Sequence, residues 1–138
     1  MKKIILAAFM AACGLQMSAQ QNLFVAQDLE SAIVNKDNTV TFNFKAPDAQ
    51  KVQIAGDFAE KAEGQHIGGM VGAGLIDMTK NSEGIWTYTT KPLDSELYSY
   101  EFMVDGVPTI DPNNVYVYRD FATTSNVFIV GNGKADLY

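Results

Sequence analysis

Leu97-Tyr98-Ser99-Tyr100-Glu101-Phe102-Met103-Val104-Asp105-Gly106 is the stretch that decides the fold. Tyr98, Tyr100, Phe102 and Val104 fall on one side of an extended chain, and Ser99, Glu101 and Met103 on the other. A period of two belongs to a strand with one buried face. Asp105-Gly106 then supplies two residues that tolerate positive φ, as a tight hairpin turn requires. Residues 107–110 are therefore expected to fold back and pair with the long strand.

The same alternation recurs on both sides of this hairpin. Val40, Phe42 and Phe44 share one face of residues 39–45, with Thr41, Asn43 and Lys45 turned to solvent. Residues 51–58 form the next strand, with Val52, Ile54 and Gly56 on one face. Residues 76–78, 85–90, 115–118 and 126–130 complete the set. Ala46-Pro47-Asp48-Ala49 and Asn81-Ser82-Glu83-Gly84 are turn signals. Seven to eight short strands spaced by about ten residues predict an all-β sandwich occupying residues 39–131. Residues 20–38 read as a lead-in of weak periodicity, and residues 132–138 as an exit segment that trails off. Residues 59–74 break the pattern: five glycines fall between Gly64 and Gly74. Glycine carries a large backbone ordering cost, so a mobile surface loop is expected there.

Residues 1–19 have the layout of a secretory signal peptide. Lys2-Lys3 is a basic start, an apolar run follows, and small residues stand at Ser18 and Ala19. Export to the periplasm or the extracellular space is the expectation. The apolar run falls short of the ~20 residues that span a bilayer. Cys13 is the only cysteine, so no intrachain disulfide can form. It sits in Met10-Ala11-Ala12-Cys13-Gly14, which is similar to a bacterial lipoprotein signal, and lipidation at Cys13 is the alternative reading. The chain has 16 acidic and 10 basic residues. With scattered basic residues it would repel a phosphate backbone, and nucleic acid is not an expected partner. A monomer is expected.

Catalytic chemistry finds little support. A nucleophilic serine needs a general base, and the single histidine, His66, lies in the glycine-rich loop. No Gly-x-Ser-x-Gly elbow occurs. One histidine and one cysteine do not make a usual zinc site, and no cofactor is expected. Gly68-Gly69-Met70-Val71-Gly72-Ala73-Gly74 lacks the helix and the Lys-Ser/Thr of a phosphate loop. Asp105 and Asp111 are accounted for by their turns. A sugar-binding face would need exposed flat rings. Trp86 is expected to plug one end of the sandwich, and the alternation turns most of the tyrosines towards the core. If sugar is bound, Tyr88, Tyr116 and Tyr118 are the platform candidates and Asn126 the polar contact.

Several motifs together resemble the immunoglobulin-like early-set domains of glycan enzymes, including the glycogen-binding-type carbohydrate-binding modules. They are Gly56-Asp57-Phe58, Gly84-Ile85-Trp86, the Leu97-to-Gly106 strand and turn with Tyr100, Phe102, Asp105 and Gly106, Asp111-Pro112, and Asn126-Val127-Phe128-Ile129-Val130. The resemblance covers residues 40–130 and implies an immunoglobulin-like early-set β-sandwich that binds or positions and does not catalyse. Glycogen-binding members carry a Trp soon after the Gly-x-Phe element, where Ala59-Glu60-Lys61 stands here. They carry another after the Asp-Gly turn, where Val107-Pro108 stands, and often a Lys where Glu101 stands. Asn126 alone remains at a sugar-contacting position. The chain also resembles the N-terminal domain of secreted bacterial esterases related to feruloyl and acetyl-xylan esterases. The match lies in Val115-Tyr116-Val117-Tyr118-Arg119-Asp120 and Gly133-Lys134-Ala135-Asp136-Leu137-Tyr138. That resemblance implies a non-catalytic accessory module positioned against a catalytic α/β-hydrolase domain. Two alternatives stay open: a carbohydrate-binding module for plant polysaccharide of the xylan type, and a truncated esterase.

Overall fold

The computed structural model describes residues 29–59, 66–67, 70–71 and 74–137, the backbone alone at 66–67 and 70–71. The expected signal peptide, Cys13 and most of residues 59–74 lie outside the described residues. Twelve strands run in the order β1 (Ile33–Val34), β2 (Val40–Lys45), β3 (Val52–Gly56), β4 (His66–Ile67), β5 (Met70–Val71), β6 (Ile76–Asp77), β7 (Thr79–Lys80), β8 (Ile85–Thr89), β9 (Leu97–Val104), β10 (Val107–Thr109), β11 (Val117–Arg119) and β12 (Thr124–Ile129). The expected sandwich is there, in two antiparallel sheets. One has the order β1-β2-β8-β7; the other has the order β11-β12-β9-β3-β6, with β10 also paired to β9. Beyond the expected count lie β1, β7 and the separate β4–β5 pair, in which His66 stands opposite Val71.

β9 is the axis of the larger sheet. β3 lines one side, with Ile54 opposite Phe102. β12 and β10 share the other side, with Asn126 opposite Tyr100 and Thr109 opposite Phe102. The inward residues are those the period of two selects: Val40, Phe42, Val52, Ile54 and Phe102 are fully buried. Aromatic rings tie the sheets together. The Phe42 ring lies 4.8 Å from Tyr100 and 5.5 Å from Phe128, and Phe44 lies 4.7 Å from Phe102, centroid to centroid. Such tilted and edge-on pairs add roughly 0.5–1.5 kcal/mol each beyond burial. Trp86 is buried in the core, 7% exposed, and its indole N–H donates to the Ala46 carbonyl at 2.9 Å.

Two features depart from the sequence reading. Met103, on the solvent side of the β9 pattern, is buried, with Pro108 of β10 opposite it. The exit segment does not trail off. Residues Lys134–Leu137 form a 3₁₀ turn with Ala135 buried. The Asp136 carboxylate accepts from the Asn132 and Gly133 amides, Ala135 N–H donates to Ser95 Oγ, and Lys134 pairs with Glu96.

Candidate functional site

The motif residues around Asp111-Pro112 form a buried lock. Tyr100 sits on the inward face of β9, and its hydroxyl donates to Asp111 Oδ2 at 2.8 Å. Burial pushes the Tyr100 phenol far above its ordinary value, so it remains a donor at any physiological pH. The other carboxylate oxygen of Asp111 accepts from the Asn113 amide at 2.8 Å, the turn contact expected from the sequence. Asn126 Oδ1 accepts the Asp111 N–H at 2.6 Å, and its Nδ2 donates to the Asp111 and Asn114 carbonyls. Asn114 Nδ2 in turn reaches the Tyr100 hydroxyl and the Val127 carbonyl. Asn126 therefore does not stand on the surface as a sugar contact. It is fully buried, because its position opposite Tyr100 turns it inward. Its side-chain oxygen and nitrogen are both engaged inside the fold.

Asp105 and Asp57 hold other junctions of the chain. Asp105, at φ 48°, accepts from the Gln50 and Lys51 amides and fastens the β9–β10 turn to the start of β3. Asp57 Oδ2 accepts from both the amide and the hydroxyl of Ser99. Among the described residues no group of three His, Cys, Asp or Glu is placed to hold a metal ion.

Tyr116 and Tyr118 are brought together on the surface, 70% and 60% exposed. β11 is the edge strand of the larger sheet, and all three of its residues are exposed. Tyr118 stands opposite Ser125, and Val127 N–H donates to the Tyr116 carbonyl at 3.0 Å. Both rings thus share the outward face with Ser125 and Val127, and across β12 with Ser99, which pairs with Val127. Glu101 belongs to the same face of β9, two residues from Ser99, and its carboxyl is pushed above the ordinary value by burial. At the tip of the β11–β12 hairpin Phe121 is fully exposed, a residue the sequence reading passed over. The turn that presents it is held by Asp120, whose carboxylate accepts from the Ala122 and Thr123 amides at 2.7 and 2.6 Å. Hydrogen bonds from Thr123 and Ala122 hold the Asp120 carboxyl below its ordinary value. Its signal in the sequence was Asp120, a residue type that closes turns onto the amides that follow it, with a Phe next to it that fits no alternation.

Tyr88 is set apart. It lies on the inward face of β8 opposite Phe42, half-buried, with its phenol raised by burial. It lines a cavity of about 330 Å³ with Phe58 and Leu93. A larger cleft of about 490 Å³ opens beside Tyr116, between β1 and β12. No helix among the described residues is long and apolar enough to cross a membrane.

The chain matches no protein-family model and no curated protein. Among solved structures it is similar to the Group B Streptococcus pullulanase SAP. In the complex of that enzyme with maltotetraose, the match has 17% identity and a TM-score of 0.53 and covers 76% of this chain and 15% of that one. In another crystal structure of the same enzyme the values are 16% identity, TM-score 0.53, and the same coverage. The chain thus spans about 15% of the length of these enzymes. At this identity the likeness shows a shared fold alone, a β-sandwich that also occurs as one part of that pullulanase.

Proposed function

We propose that this chain is a non-catalytic, carbohydrate-binding accessory module of a polysaccharide-acting enzyme, with Tyr116 and Tyr118 as its sugar platform. The observation that carries the reading is the pair of exposed tyrosines two residues apart on one outward face, Tyr118 in β11 and Tyr116 just before it. Flat rings of this kind pack against the C–H faces of pyranoses. Ser99, Ser125 and Glu101 on the same face supply hydroxyl and carboxyl partners for sugar hydroxyls. The shared fold with a segment of a pullulanase that was crystallised with maltotetraose supports the accessory role.

The polymer we propose is extended and β-linked, of the xylan type. Two rings at i and i+2 on a strand lie about 7 Å apart along a nearly straight line. A straight row suits a flat chain better than the curved surface of an α-glucan. The α/β-hydrolase esterase as the attached catalytic domain is proposed on the sequence resemblance alone. Affinity electrophoresis of the protein in gels containing xylan, arabinoxylan, amylose or pullulan tests both parts. Retardation by xylan and arabinoxylan only is expected. Retardation by amylose or pullulan instead would replace the polymer, and no retardation in any gel would remove the binding role.

A further inference from the structure

The cleft of about 490 Å³ beside Tyr116 has a composition unlike the rest of the surface. Of the chain's residues 19% are charged, yet none of the eleven that line this cleft is. Val34, Leu97, Val115, Val127 and Ile129 supply apolar walls, and Tyr116 supplies a ring. The size falls within the range of small-molecule sites, which combine apolar walls with a few placed polar groups.

Those polar groups are present. Asn113 lines the cleft, and its side-chain Nδ2 is buried without a hydrogen-bond partner. Buried donors are nearly always satisfied, so a small rotation of this side chain towards the cleft would give an entering acceptor oxygen an unused partner. The β12 backbone adds more. Val127 N–H donates to the Tyr116 carbonyl and Val127 C=O accepts from Asn114 Nδ2, so both point away from β9. Two residues on, Ile129 has the same orientation, beyond the stretch of β12 that β11 covers. Its backbone donor and acceptor therefore face the cleft side.

We infer that this cleft binds a small uncharged aromatic ring that carries an acceptor oxygen. A charged ligand would lose its hydration against walls with no counter-charge. A bare sugar would set its rim of hydroxyls against Val, Leu and Ile, leaving them unpaired at a cost. An aromatic ring stacks on Tyr116, fills the apolar walls, and offers its oxygen to Asn113 or Ile129. The ring could arrive as a free molecule or as the substituent of a sugar. The inference does not depend on the platform reading, since Tyr116 is the one apolar lining residue that belongs to the Tyr116–Tyr118 row.

The test is amide shift mapping by ¹H–¹⁵N nuclear magnetic resonance. The protein is titrated with methyl benzoate and, separately, with 4-nitrophenyl β-xylopyranoside, each to about 10 mM, a range that detects millimolar binding. Shifts confined to residues 31–34, 113–116 and 127–129 are expected. Val115→Asp and Ile129→Asp place a charge in the cleft and are expected to weaken binding about tenfold or more. Val115 is 84% exposed, so that variant keeps the fold. Val107→Asp, exposed and outside the cleft, should leave binding unchanged. Equal affinity for the two probes identifies a free ring; binding of the glycoside about tenfold tighter, a difference of about 1.4 kcal/mol, identifies a ring carried on sugar. Absence of shifts at these residues with both probes, or shifts centred elsewhere, overturns the inference.

Discussion

Tyr100 fastens β9 to the connection between β10 and β11 through one hydroxyl. It donates to Asp111 and accepts from Asn114, in a site where Asp111 is 2% exposed. Tyr100→Phe keeps the ring contacts and leaves Asp111 Oδ2 without its donor. A loss of roughly 1–3 kcal/mol is expected, the cost of a buried unsatisfied acceptor, read as a lowered urea midpoint with unchanged slope. Glu101 contributes with the opposite sign. Burial raises its carboxyl in the folded protein, so the folded state holds the proton more tightly than the unfolded chain. Its share of stability is present below the unfolded value and is lost as pH rises through the folded one. Glu101→Gln should therefore raise the melting temperature at pH 7, with the gap from the parent protein closing as pH falls to about 4. A gap that is constant with pH would contradict this. The buried state of Asn126 was legible in principle: Asn126, Phe128 and Val130 alternate, and the last two are core residues. The resemblance to sugar-binding modules pointed the other way. The burial of Asp111 was not legible, because it depends on a tyrosine eleven residues away reaching back over the turn.

At the scale of elements, the longest strands were plain in the sequence because each carries two or more buried residues in alternation. β1 and β7 have two residues each and hold no such pattern. They exist because neighbouring strands supply hydrogen-bond partners: Val40 faces Val34, and Trp86 faces Lys80. The alternation in residues 115–118 separates the tyrosines from the valines. On an edge strand with all residues exposed, the pattern alone does not say which face meets the other sheet. The turn between β7 and β8 places Gly84 at φ 77°, where an added Cβ would lie 2.6 Å from Pro47 Cα. Gly84→Ala is expected to cost more than about 1 kcal/mol, since both backbone strain and contact oppose it. The docked 3₁₀ turn makes a second prediction at this scale. Asp136→Ala removes both acceptors of the Asn132 and Gly133 amides. Amide exchange of Ala135 should accelerate about tenfold while β9 keeps its protection; equal protection of Ala135 in both proteins would show that the turn is held by other contacts.

For the whole molecule, fold and function separate cleanly. The sandwich follows from alternation and turn chemistry, and a distant pullulanase segment shares it. Function depends on which rings the finished surface exposes, and here the structure redistributes the candidates: Tyr88 faces the interior side, Asn126 is enclosed, and Tyr116, Tyr118 and Phe121 stand free. The central claim is that Tyr116 and Tyr118 form a platform for an extended glycan. Isothermal titration of xylohexaose into the parent protein and into Tyr116→Ala/Tyr118→Ala tests it most directly. The account predicts measurable binding by the parent and a loss of about 1 kcal/mol or more per ring in the variant, with the melting temperature unchanged because neither ring is buried. Equal affinity in the two proteins would contradict it.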